Sequence, residues 1–194
     1  MDKKMLLIIL VSIGLMVSCS IPSAKEQEPL SIYVGVTYVE KSLDNLIDEA
    51  ELIVIGEVDT ILPSRWSTFS GKRPNDDEVS DYTIYTDVIF QVNQVLKGQI
   101  ESSAIHIRTF GGKVGQDQMV VSLETQFEIG QTYLLFLSLD TGSTANIDPG
   151  HYSEDGGGGQ GVYEIHDGKA ISGNDEWILE DMIAYIQNAL QNSQ

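Results

Sequence analysis

Apolar and polar residues alternate from Tyr82 to Gly98, YTIYTDVIFQVNQVLKG. Tyr82, Ile84, Val88, Phe90, Val92 and Leu96 hold even positions, and Thr83, Asp87, Gln91 and Asn93 hold odd ones. A period of two over this length predicts a β-strand with one buried and one wetted face. The flanking segments read as strands that pair with it, which makes it the central strand of a small barrel or strongly curved sheet. Leu52 to Leu62 starts as a continuous apolar run and then alternates, as a buried strand emerging toward solvent does. Gly56 inside it predicts a bend or bulge, and Pro63 ends it. Ala104 to Phe110 sets Ile105 and Ile107 against His106 and Arg108. Met119 to Leu123 is a further short strand, and Thr132 to Leu139 is apolar on both faces and hence deeply buried. Leu30 to Val39 reads as a first strand.

Between and after these strands the period changes. Ser42 is placed to cap a short helix with Leu43, Leu46, Ile47 and Ala50 on one face. Asp167-Gly168 predicts a hairpin between Gly161–Ile165 and Lys169–Ser172. Asn174 is expected to cap a C-terminal amphipathic helix, with Asp175 and Glu176 in its first turn and Ile178, Met182, Ile183, Ile186, Ala189 and Leu190 on its apolar stripe. Ser64 to Ser80 and Asp140 to Gln160 read as loops; the second is rich in Gly, Ser, Asp and Asn, and its length predicts a functional or disordered segment. The expected fold is mainly β (α+β): an OB-like curved sheet or barrel of five to seven strands, with a short N-terminal helix and a C-terminal helix.

The first residues belong to a different pattern. Met1 to Lys4 is net positive, and Met5 to Val17 is apolar apart from Ser12 and Gly14. That run is shorter than the roughly 20 residues of a membrane span and suits a secretory signal. Met16-Val17-Ser18-Cys19 resembles the bacterial lipoprotein signal, with Met16 where that family usually has Leu. The resemblance implies cleavage before Cys19 and a thioether-linked diacylglycerol on it. Residues 1–18 are then a signal peptide, 19–29 a lipid-anchored linker and 30–194 a single domain, located on the extracytoplasmic side of a bacterial envelope membrane. Ser20 to Pro29 extends to roughly 35 Å at most. Cys19 is the chain's single cysteine, so the domain must rely on an apolar core instead of disulfides.

The mature part carries 28 acidic and 9 basic residues, a net charge of −19. This argues against nucleic acid as a partner and against lying flat on anionic lipid. A solvated acidic surface is the plain reading; cation binding or a basic partner is the other.

The runs ELIVIGEV, YTIYTDVIFQVNQVLKG, AIHIRTFGG and FEIGQTYLLFLS, spanning about Glu51 to Ser138, resemble a group of bacterial secreted proteins and lipoproteins. More distantly they resemble the netrin-like module of the tissue inhibitors of metalloproteinases, an OB-type barrel. The resemblance implies the fold. It carries over no functional residue, because the netrin-like cysteines are absent.

Candidate chemistry is sparse. Gly156, Gly158 and Gly161 satisfy G-x-G-x-x-G, but a loop precedes them and a strand follows, which is the wrong context for a dinucleotide. His106, His151 and His166 lack any zinc-ligand spacing, and solvent exposure is the plainer expectation for them. Asp140, Asp148, Glu154 and Asp155 lie in or beside the long loop, where calcium would find oxygen ligands. In the loop Arg65 to Arg73, the cations Arg65, Lys72 and Arg73 alternate with Trp66 and Phe69. This pattern suits either a contact surface for a glycan or envelope protein, or a Trp66 lid over one barrel end. There is no serine elbow, paired-carboxylate signature or reactive thiol. The expected function is a lipid-anchored binding module with no cofactor; the alternative is a metal-dependent or hydrolytic envelope enzyme with its site in the 140–160 loop.

Overall fold

The computed structural model describes residues 27–142, 144, 150–155 and 157–192. The expected signal peptide, Cys19 and most of the expected linker lie outside them. The chain begins with strand β1 (Ser31–Val34), helix α1 (Leu43–Glu49), β2 (Leu52–Ile61) and the two-residue β3 (Arg65–Trp66). After a 3-10 turn at Val79–Asp81 come β4 (Ile84–Lys97), β5 (Ala104–Phe110), β6 (Gly112–Val114) and β7 (Asp117–Val121). The remainder holds β8 (Thr132–Leu139), β9 (Tyr152–Glu154), β10 (Val162–His166), β11 (Lys169–Ser172), β12 (Asp175–Ile178) and helix α2 (Leu179–Asn192).

The protein is mainly β, with an OB-like closed barrel at its centre. β8, β2, β4, β5 and β9 are neighbours in that order, and β9 pairs back onto β8. Every contact around the ring is antiparallel except that of β5 with β9. Val88, Phe90 and Val92 of β4 meet Leu52, Val54, Ile105, Ile107, Leu135 and Leu137 in the interior. The ring closes at so small a strand number because β2 is bent against β4. Their register slips at Ile53/Val54, Ile55/Gly56 and Val58/Thr60, and each bulge adds local bend and twist. Gly56 permits the close approach: a Cβ there would lie 2.2 Å from the Gln91 carbonyl oxygen.

A second layer covers the outside of the barrel. Ile53 and Ile55 of β2, Leu134 and Phe136 of β8, Tyr163 and Ala170 pack under Leu46, Ile47, Met182 and Ile186 of the two helices. β8 is apolar on both faces because one faces the barrel interior and the other the helices. Ser42 caps α1, its Oγ accepting from the Asn45 N–H at 3.2 Å. Lys97 Nζ donates to the Ile47 and Asp48 carbonyls (2.7 and 3.0 Å) at the other end of that helix, where a cation complements the dipole. A small separate sheet has the order β1-β7-β6, with β1 parallel to β7. A third apolar cluster, of Trp66, Ile84 and Met119, is packed by Leu30, Ile32, Val114 and Val121 of that sheet and its approach.

Several expectations change. The first strand covers only Ser31–Val34 and lies in the small sheet. The Ser64–Ser80 loop contains β3 and the 3-10 turn, and the 140–160 loop contains β9, whose three residues close the barrel. Asn174 does not cap a helix. Residues 175–178 form β12 against β11, α2 starts at Leu179, and Ile178 is exposed instead of lying on the apolar stripe. The hairpin explains this: Asp167 (φ 47°) and Gly168 (φ 76°) make the tight turn, and a third strand extends the meander before the helix begins. Asp87, on the face expected to be wet, is buried.

Candidate functional site

A cavity of about 310 Å³ opens on the barrel flank, lined among others by Tyr38, Ile107, Phe110, Glu124, Phe127 and Glu154. Its floor is apolar. Phe127, on the segment between β7 and β8, inserts into the barrel core and meets the Tyr133 ring edge-on at 5.2 Å. Two carboxylates stand above that floor. Glu154, from β9, accepts from Thr125 Oγ1 (2.5 Å) and from the Gly159 N–H (2.6 Å). Glu124 accepts from the Phe110 N–H at 2.8 Å through one oxygen, Oε1. A second depression of about 460 Å³ shares Phe110, Glu124 and Phe127 and continues over Gly111, Gly112 and Met119. Glu124 borders both depressions, together termed the groove.

Desolvation governs the electrostatics here. Burial pushes the Glu154 carboxyl up from 4.5 to about 7, against the pull of its two hydrogen bonds and with the negative charges of Glu124 and Asp155 adding to the rise. Burial also raises Glu124, partly offset by the Phe110 N–H. The Tyr38 phenol is raised by burial and then by the two carboxylates. An acid in a cleft whose ionisation is opposed by burial and by a second carboxylate is suited to hold a cation or a proton.

The glycine run builds one wall. Gly157 and Gly158 have positive φ (65° and 64°), and a Cβ on either would strike the Tyr38 ring, at 2.1 and 2.6 Å. The ring lies on a backbone surface that only glycine can offer. The irregular segment around it is strapped down: the Lys41 N–H donates to Gln160 Oε1 (2.7 Å), Gln160 Nε2 to the Val39 carbonyl (3.2 Å), and Lys41 Nζ reaches Asp155 (3.3 Å). Leu123, next to Glu124, has φ 64° and is exposed.

On the outer face of β4 and β5 is a buried ionic network, whose Arg108 also borders the cavity. Arg108 Nε and NH2 donate to the two Asp87 oxygens (2.7 and 3.0 Å), NH1 donates to the Thr144 carbonyl (3.2 Å), and the guanidinium lies 4.1 Å from the centre of the Tyr85 ring. Asp140 receives Thr144 Oγ1 (2.7 Å) and the Gly142 N–H (2.9 Å) and stands 3.8 Å from Arg108 NH1. His151 Nε2 is 3.4 Å from Asp87. Burial works against the Arg108 charge, but the hydrogen bonds and charge of Asp87 outweigh it and raise the pKa. The network fastens the chain on either side of the 140–151 loop to the barrel.

The residues singled out from sequence are dispersed. Asp140 serves the arginine network, Asp155 pairs with Ser138 Oγ (3.0 Å) and Lys41, and Glu154 lines the groove. Asp148 lies outside the described residues. Among the described residues no group of three or more His, Cys, Asp or Glu is placed to hold a metal ion. His151 is buried, contrary to the expectation, and meets the exposed His106 edge-on at 5.2 Å; His166 is far along the hairpin, paired with Glu164. Trp66 is fully buried in the small-sheet cluster and unavailable for contact, and Arg73 is tied to Asp117 and Asp76 (2.8 Å each). Phe69 and Lys72 are exposed, and Arg65 is half-buried with its guanidinium 6.0 Å from the Tyr85 ring centre. Sequence reading missed Tyr38 and Glu124. Glu124 lies in an aperiodic connection with no motif around it. The one available signal for Tyr38 was the glycine run, whose bare backbone calls for a large flat neighbour.

No protein-family model matches the chain, and a search of curated proteins found no match.

Proposed function

We propose that this chain is a lipid-anchored extracytoplasmic binding module of a bacterial envelope, held through Cys19, and that the groove at Glu124 and Glu154 takes its ligand. The observation that carries the reading is the composition of the groove: two partly desolvated carboxylates and a fixed tyrosine ring over a floor of Ile107, Phe110 and Phe127, with the cation on its border, Arg108, already paired to Asp87. The chemistry that fits is an ammonium group on an apolar or sugar body, supplied by an envelope protein or an amino-bearing glycan. That a second depression adjoins the cavity across Phe110, Glu124 and Phe127 favours a chain-like ligand over a compact one.

The test is titration of the protein with a lysine-rich peptide and with a chitosan oligosaccharide, followed by calorimetry. Binding of either, weakened about tenfold or more by Glu124→Gln at unchanged melting temperature, supports the groove. Equal binding by the variant removes it. Anchoring is read separately: Cys19→Ser should abolish lipid labelling and detergent-phase partitioning, and normal labelling would refute it. A second reading, a hydrolase, draws on Glu154, whose proton is held to about pH 7 as a general acid requires. Cleavage of the oligosaccharide or peptide, lost in Glu154→Gln, would establish it; binding without turnover leaves the binding module.

A further inference from the structure

The described chain starts against the loop that precedes β4. Gln27 Nε2 donates to Asp76 Oδ1 (3.3 Å), the Glu28 carbonyl accepts from Arg73 NH1 (2.7 Å), and the Leu30 N–H donates to Asp117 Oδ1 (3.0 Å). Arg73 also holds Asp117, so the exit point is fixed to the domain by a half-buried ion pair. Seven residues lie between Cys19 and Gln27, and the eight steps from one to the other span about 28 Å when fully extended. Whatever anchors Cys19 therefore keeps this face of the domain close to it.

The tip of the same loop carries Phe69, whose ring is 90% exposed. The exposure is built into a braced turn. The Gly71 N–H donates to the Thr68 carbonyl (3.0 Å), the Trp66 N–H to the Gly71 carbonyl (3.1 Å), and Thr68 Oγ1 to the Lys72 carbonyl (2.8 Å). Gly71 has φ 69°, and a Cβ there would meet Arg65 Nε at 2.9 Å. Buried Trp66 roots the turn in the small-sheet cluster. Arg65 and Lys72 belong to the same turn, and an apolar aromatic side chain combined with cations is the composition of segments that bind the membrane interface.

We propose that this loop tip is a second membrane contact: Phe69 inserts into the interfacial layer of the phospholipid bilayer that holds the lipid on Cys19, with Lys72 at phosphate level. The inference rests on the lipidation of Cys19. Asp76, Asp77, Glu78 and Asp81 follow in the same loop, so the ring leads the contact and net charge does not; it should persist on a zwitterionic bilayer. The domain then stands with the start of β4 toward the membrane, since Trp66 pairs with Ile84. The 98–103 turn, at the other end of this 14-residue strand, points away from it.

The lone native cysteine is consumed by acylation, so an added cysteine can be labelled alone. The acylated full chain carrying Ser70→Cys or Ser102→Cys is labelled with bimane and reconstituted in phosphatidylcholine vesicles containing brominated lipid. Flotation with the vesicles reports anchoring independently of the label. The expected result is flotation of both proteins, with quenching at position 70 at least threefold that at 102, falling to the level of 102 when Phe69→Ser is added. Flotation with equal quenching at the two positions overturns the membrane contact and leaves the anchor standing; the ring is then free for a protein partner. Quenching at 70 that survives Phe69→Ser overturns the role of the ring. Failure to float overturns both the anchor and the contact.

Discussion

Glu154 combines three conditions that are separately ordinary: a place in the last strand of the barrel, two hydrogen-bond donors, and a neighbour of like charge. An unfolded chain releases this proton near pH 4.5, whereas the folded one keeps it to about 7. Below pH 4.5 both states are protonated and the group is neutral to folding. Between 4.5 and 7 only the folded state holds the proton, so stability falls as pH rises through that window and stays lower above it. Discounted for its partial access to solvent, the loss is about 1–2 kcal/mol. Glu154→Gln keeps an acceptor for the Gly159 N–H and gains a donor for Thr125 Oγ1. Denaturant midpoints should therefore show the variant more stable than the wild type at pH 8 and equal to it at pH 4. A wild-type advantage at pH 8 would mean that the carboxylate is stabilised there. Nothing of this was legible in the sequence, where Glu154 is one acid among four in a polar stretch. What singles it out is burial in a cavity shared with Tyr38 and Phe127, residues over twenty positions away.

At the level of elements, periodicity was a sound guide wherever one environment covered a whole strand. β2, β5, β8 and the hairpin of β10 and β11 fall where their patterns place them, because alternation and turn chemistry are local. The pattern misled where two environments meet on one element. The outer face of β4 is solvated at Gln91 and Asn93 but buried at Tyr85 and Asp87, where Arg108, Asp140, Thr144 and His151 gather. A polar residue reads the same in both places. β9 and β12 were hidden for a related reason: each has three or four residues, too few to show a period, and each exists only because a partner strand is already present. The Asp87–Arg108 pair makes the covered face testable. Removing one partner leaves a buried charge, so Arg108→Met should cost about 3–5 kcal/mol. Adding Asp87→Leu should recover most of that loss in urea unfolding. If the double variant were as unstable as the single, the anchoring of the loop, and not charge burial, would be the main contribution of the pair.

The molecule as a whole carries its negative charge on a small surface. The chain's net charge of −18 opposes compaction through self-repulsion, and salt screens it within about 10 Å at 0.1 M. Raising sodium chloride from about 20 to 300 mM should lift the melting temperature of the Cys19→Ser chain by about 2–5 °C. A fall would mean that the few attractive pairs, such as Lys41 with Glu49 and Asp155, outweigh the repulsion. The same molecule has one weak line. The barrel is shut by three residues of β9, joined to β5 by a single register pair, Ile107 with Tyr152, and to β8 by three. Glu154 is the last of the three. A ligand gripped by that carboxylate therefore pulls on the seam of the barrel, so occupancy of the groove and closure of the ring are linked equilibria. A bound chain would slow amide exchange along β9 and β5 before it altered any strand farther round the wall.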